Sequence, residues 1–105
     1  MIELAKDVAV AAMDELDRAN KNHPLFRSNH EGLAVISEEV WEAIVEAEVV
    51  RKLATDMRIA IYKDNDDLAD ATARKLCRRA VYAACEYIQV AAMAQKYIDS
   101  RKIRR

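Results

Sequence analysis

At 105 residues the chain has room for one ordinary domain, which excludes an enzyme with separate cofactor and substrate modules. Its 52% hydrophobic residues come with one glycine (Gly32), one proline (Pro24) and 6% aromatics. That is too few turn formers for a β-sandwich or an α/β fold, and no clustered glycines are available to cradle a phosphate. Seventeen Lys and Arg against eighteen Asp and Glu leave a net charge of -1, so bulk charge draws the chain neither to nucleic acid nor to an anionic membrane. Composition therefore predicts an all-α domain.

In chain order, Ile2, Ala5, Ala9, Ala12, Met13 and Leu16 fall at helical spacing, with Glu3, Asp7, Asp14 and Asp17 elsewhere on the surface, and predict a first helix over 2–20. Asn20 to Pro24 breaks it, because proline disfavours helix at the residue before it, and 24–29 reads as a loop anchored by Leu25 and Phe26. Ser28 or Asn29 can cap a second helix, with Glu31 three residues after Ser28 in a capping-box arrangement. This helix is expected from about His30 to the early fifties, followed by a segment over 53–62 that either continues helical or bends. Lys63 to Asp67 is the next break, and Asp66 or Asp67 is expected to cap a final helix over about 67–100, with 101–105 a frayed basic tail. Four helical segments make a thin bundle, which we expect to be a single domain of four to five helices completed by a second copy, as a homodimer or tetramer.

The even charge balance hides an asymmetry. Residues 31–50 carry six acids and no base, whereas 71–105 carry nine bases against Glu86 and Asp99. On the second helix Glu38, Glu39, Glu42 and Glu46 share a sector about 100° wide, and like charges at i,i+4 destabilise a helix unless something cationic neutralises them. One flank of that sector carries Ile36, Val40, Ala43, Ile44 and Ala47, the expected core face; the other carries Val35, Trp41, Val45 and Val49. Carboxylates between two apolar walls suggest a groove or an interface rather than a solvated face. Such hard oxygen ligands suit Mg²⁺ or Mn²⁺. Zinc is disfavoured, since His23 and His30 have no Cys or His at a ligand spacing. On the final helix Tyr82, Met93 and Tyr97 lie near Glu86 on the wheel, Gln89 about 60° away, and Lys75 and Arg79 on the same side two or three turns earlier. The opposite face, with Cys77, Val81, Ala84, Ile88, Ala91 and Gln95, is mostly small and apolar and allows close helix packing. Cys77 and Cys85 are about 12 Å apart along a helix, too far to bridge each other, and two unpaired thiols point to a reducing, cytoplasmic setting. No stretch reaches the length of apolar sequence that a membrane span requires.

Two stretches, Pro24 to Glu42 (PLFRSNHEGLAVISEEVWE) and Glu86 to Ala94 (EYIQVAAMA), resemble the two metal helices of the MazG-like all-α nucleoside triphosphate pyrophosphohydrolases, especially the small versions of phages and prophages. The resemblance covers about a third of the chain. It implies a magnesium-dependent enzyme that cleaves a nucleotide between its α and β phosphates, releasing a monophosphate and pyrophosphate. The family pattern pairs an E-x-x-E helix with an E-x-x-D helix. Glu39 and Glu42 match the first pair, Glu38 is an additional acid, Glu86 opens the second pair, and Gln89 stands where Asp is expected. An amide can coordinate through its carbonyl oxygen but brings no charge. Asp67 and Asp70 are also three apart, but they sit at a helix start without the flanking match. On this reading Glu39, Glu42, Glu86 and Gln89 hold the metal, and Glu38 accepts the proton of the attacking water. Lys75, Arg79 and Lys96 are the candidates for holding the outer phosphates, and Trp41 or a tyrosine for stacking on the base. Two other functions compete: a non-catalytic helical adaptor with a degenerate metal site, for which Gln89 speaks, and a nucleic-acid-binding helix over 71–105, which the acid block and the lack of a recognition motif disfavour.

Overall fold

The computed structural model describes residues 1–104, Arg104 by its backbone only. These residues form three helices and no strand: α1 (Ile2–Asn20), α2 (Asn29–Tyr62) and α3 (Asp66–Arg104). The helical class follows the composition, but the expected four segments are three. Residues 53–62 continue α2 without a break, because nothing from Leu33 to Tyr62 is glycine or proline. In the stretch expected as a basic tail, residues 101–104 form the last turn of α3, and Arg105 lies outside the described residues. Those last turns are held by Ser100, whose hydroxyl donates to the Lys96 carbonyl at 2.7 Å, and by Arg101, whose guanidinium donates to the Tyr97 hydroxyl at 3.4 Å.

The helix ends are chemically specified. Ser28 caps α2, its Oγ accepting the Glu31 N–H at 3.1 Å, while the Glu31 carboxylate accepts the Arg27 N–H at 3.4 Å. At the other end the Asn65 N–H donates to the Ala60 carbonyl and the Asp64 N–H to the Ile61 carbonyl, the paired bonds of a Schellman stop, with Asp64 in the left-handed region at φ 53°. Asn65 then caps α3 by accepting the Leu68 N–H at 3.2 Å, one residue ahead of the expected Asp66 or Asp67. With only residues 63–65 between them, α2 and α3 must run antiparallel, and Gly32 beside Tyr97 and Glu46 beside Arg79 fix the register.

Small side chains line the α2–α3 seam, where Ala43, Ala60, Ala69 and Thr72 are buried. The larger core lies at the open end of this hairpin. There Leu16 of α1, Phe26 of the α1–α2 loop, and Ala92 and Met93 of α3 pack with Val35, Ile36 and Tyr97. Gly32 belongs to this junction: a Cβ on it would stand 2.9 Å from the Tyr97 ring and 3.1 Å from the Phe26 ring. The expected core faces are only partly covered. On α1 only Ala12 and Leu16 are buried, Ile2, Leu4, Val8, Val10 and Met13 being exposed; on α2, Val40 and Ile44 are exposed; on α3, Cys77, Val81, Ala84 and Ala91 are exposed. The physical reason is supply, since among the described residues α3 has only α2 and α1 to pack against and the backbone of α1 comes close only to that of α3. The radius of gyration is 17.8 Å and the body measures 61 × 29 × 22 Å, against about 13 Å for the radius of a compact chain of this length. Among the described residues no helix is long and apolar enough to cross a membrane.

Candidate metal centre

The antiparallel hairpin determines which acids meet. Glu39 and Glu42 are one turn apart on α2, and the register sets Glu86 of α3 level with them. One carboxylate oxygen from each of Glu39, Glu42 and Glu86 lies within 4.8 Å of the others. Oxygens sharing one Mg²⁺ at about 2.1 Å stand about 3 to 4.2 Å apart, a difference that small side-chain rotations close. Glu39 and Glu86 are half-buried and Glu42 is exposed, so the trio opens to solvent on one side.

Electrostatics sets these three apart from the rest of the acid stripe. Glu46 pairs with Arg79 at 3.5 Å and Glu48 with Arg51 at 3.0 Å, whereas among the described residues no Lys, Arg or His nitrogen stands within 4.0 Å of Glu39, Glu42 or Glu86. Burial, then the charges of Glu42, Glu86 and Glu38, push the Glu39 carboxyl above its ordinary range; burial and the nearby Glu42 and Glu46 do the same for Glu86. The chain thus gathers repelling carboxylates without a cation of its own, an arrangement that a divalent ion relieves.

The other expected site residues are spread along the hairpin. Glu38 is exposed and adjoins the trio through Glu39. The Gln89 amide donates to Glu15 of α1 at 2.6 Å, a bond that ties α1 to α3, and it holds the Glu15 carboxyl below its usual range. Arg79 is two turns from Glu86 toward the hairpin tip, engaged by Glu46 and lying over the Tyr82 ring at 5.7 Å. Lys75 lines a cavity of about 320 Å³ near the tip with Leu53, Asp56 and Lys63, about 16 Å along the axis from Glu86. Lys96 lies about 15 Å from Glu86 in the opposite direction, buried beside Phe26. Trp41 is 65% exposed. The three cations that the wheel set on one face therefore do not converge: Lys75 and Arg79 stand on one side of the carboxylates and Lys96 on the other.

Two site features lie outside the expected set of site residues. Glu46 was read as part of the acid sector but not as a site residue; its charge acts on Glu86, it pairs with Arg79, and one of its oxygens is buried without a hydrogen-bond partner. Glu15, 74 residues from Gln89, left no local signal at all. No protein-family model, curated protein or solved structure matches this chain.

Proposed function

We propose that this chain is a Mg²⁺- or Mn²⁺-dependent nucleotide pyrophosphohydrolase that cleaves a ribo- or deoxynucleoside triphosphate between its α and β phosphates. The observation that carries the reading is the meeting of Glu39, Glu42 and Glu86, from two helices, within 4.8 Å and without a cation of the chain's own. When bound there, a divalent ion supplies charge neutralisation for a polyphosphate and a lowered pKa for water. Glu39, Glu42 and Glu86 are its ligands in this reading, and the Gln89 carbonyl oxygen a fourth donor. Exposed Glu38 takes the proton of the water whose oxygen attacks the α phosphorus as the bond to the bridging oxygen breaks and pyrophosphate leaves. Arg79 beyond the trio meets the phosphate charge, and Trp41, exposed to solvent, offers its ring to the base.

The protein is expected to work as a homodimer or tetramer. Its surface of 7746 Å² exceeds the roughly 5,900 Å² of a compact monomer of this mass. The surplus is comparable to the ~1,000–2,500 Å² that each protomer buries in an obligate dimer. Free, exposed Cys77 and Cys85 suit a reducing, cytoplasmic setting.

The test is release of pyrophosphate from a panel of ribo- and deoxynucleotides with Mg²⁺. Turnover lost in Glu39→Gln and in Glu42→Gln, with helix content unchanged, supports the reading; turnover retained in both removes the trio from it. One observation favours the rival, a non-catalytic helical adaptor: the Gln89 side chain is engaged by Glu15 and already has a structural task. No thermal shift with Mg²⁺ or Mn²⁺, together with no salt-dependent retention of DNA, would leave the adaptor.

A further inference from the structure

Beside the α1–α2 loop lies a cavity of about 600 Å³, away from the carboxylate trio and lined by none of it. Its floor is Lys96. The residue is only 5% exposed, and its Nζ stands 4.8 Å above the centre of the Phe26 ring. An ammonium carries three N–H donors, yet among the described residues no carboxylate lies within 4.0 Å of this one and no hydrogen bond engages it. The single acid in the lining, Glu31, is turned to the Arg27 N–H and acts on Lys96 only from a distance. Burial draws the Lys96 amine below its usual range, and Glu31 opposes that. The remaining polar side chains of the lining, Asn22, His23 and Arg27, all bring N–H donors.

The walls are held before any ligand arrives. The Phe26 N–H donates to the Ser100 hydroxyl at 2.9 Å, which pins the loop to α3, and the rings of Phe26 and Tyr97 both pack over Gly32. A cavity lined by Lys96, which has no ion-pair partner within 4.0 Å, and by the donor-bearing Asn22, His23 and Arg27 suits an anion that presents several oxygens at once, more than it suits a flat two-oxygen carboxylate. Apolar Leu25, Val35 and Met93 around the donors leave room for the organic part of such a ligand.

We propose that this cavity is a binding pocket for the phosphoryl end of a small phosphorylated molecule, with Lys96 as its anchor and Arg27 at its rim. The hydrolase reading expected Lys96 at the outer phosphates of a substrate on the trio; the pocket instead gives it a separate ligand about 15 Å from Glu86 along the helix, and so stands whether or not the trio holds a metal. The experiment uses the full chain in EDTA, titrated with inorganic pyrophosphate and, separately, with succinate, and read by calorimetry and by the backbone amide resonances of residues 22–27. Pyrophosphate is expected to bind one per chain and to shift those resonances, with succinate at least tenfold weaker. Lys96→Met lowers the affinity at least tenfold and Arg27→Gln, at an exposed position, several-fold. Glu42→Gln leaves it unchanged, which separates the pocket from the metal centre. Absence of binding at millimolar pyrophosphate, shifts confined to other residues, equal binding of succinate, or undiminished binding by Arg27→Gln and Lys96→Met would each overturn the proposal. If Lys96→Met does not fold, Arg27→Gln and the succinate comparison still decide it.

Discussion

Ser100 and Gly32 show how much of the architecture rests on single side chains of modest size. Ser100 is fully buried, and its hydroxyl accepts from the Phe26 N–H while donating to the Lys96 carbonyl. Ser100→Ala leaves the Phe26 N–H without that acceptor, so a loss of about 1–3 kcal/mol is expected in urea unfolding, more than alanine's better helix propensity returns. Gly32→Ala is expected to cost about 1–3 kcal/mol as well, because the new methyl meets two packed rings. The carboxylates act in the other direction. Glu39 and Glu86 titrate above their ordinary range in the folded chain, so the stability these two groups contribute is greatest when they are protonated and is lost as pH rises through their raised values. Glu15, held down by Gln89 and Arg18, has the opposite slope, so the comparison with a variant isolates the trio. Glu86→Gln is expected to raise the metal-free melting temperature near neutral pH and to abolish the Mn²⁺-induced shift. The advantage over the parent should shrink as the pH is lowered into the carboxylate range. A metal-free variant melting below the parent at neutral pH would contradict the repulsion argument.

At the scale of elements, the hairpin turn is where local chemistry and register meet. The Schellman stop needs a left-handed residue, and the chain puts Asp64 there rather than glycine. Asp64→Gly is expected to stabilise the protein by a few tenths to about 1 kcal/mol, the relieved backbone strain outweighing the added freedom of the unfolded chain. This turn also determines the site. It joins the helices through three residues, so the pairing of Glu42 with Glu86 follows from counting back along both helices from residues 63–65. Helix α1 and the turn itself were legible from helical period, proline and the run of turn residues. The continuity of α2 through 53–62 was not, since a helical pattern looks the same whether it runs straight or restarts after a bend. The identity of the α3 cap was also missed, because Asn65, Asp66 and Asp67 are equally suited to the role and only the geometry of the preceding stop selects among them.

The whole molecule is an elongated hairpin with a short third helix at its open end, and its apolar surface is distributed accordingly. Ile2, Val10, Ile44, Val45, Val81 and Tyr87 are all exposed, on three different helices. If a second copy covers these faces, sedimentation at micromolar concentration should give at least twice the 11.9 kDa of one chain. Placing a charge on them, as in Val45→Glu, should shift the protein toward monomer while leaving its helix content in place. A monomer from the parent chain would show that these faces serve something other than self-association. By itself the sequence determined the helical class, the ends of α1, the break before α3 and the acids worth watching, because caps, turn residues and helical period act over a few neighbours. Only the tertiary structure decided that α2 is one helix, that Glu39, Glu42 and Glu86 converge, and that Lys75, Arg79 and Lys96 part along the hairpin. A helical wheel reports angle around an axis and carries no information about height along it, and height is set by where the chain turns.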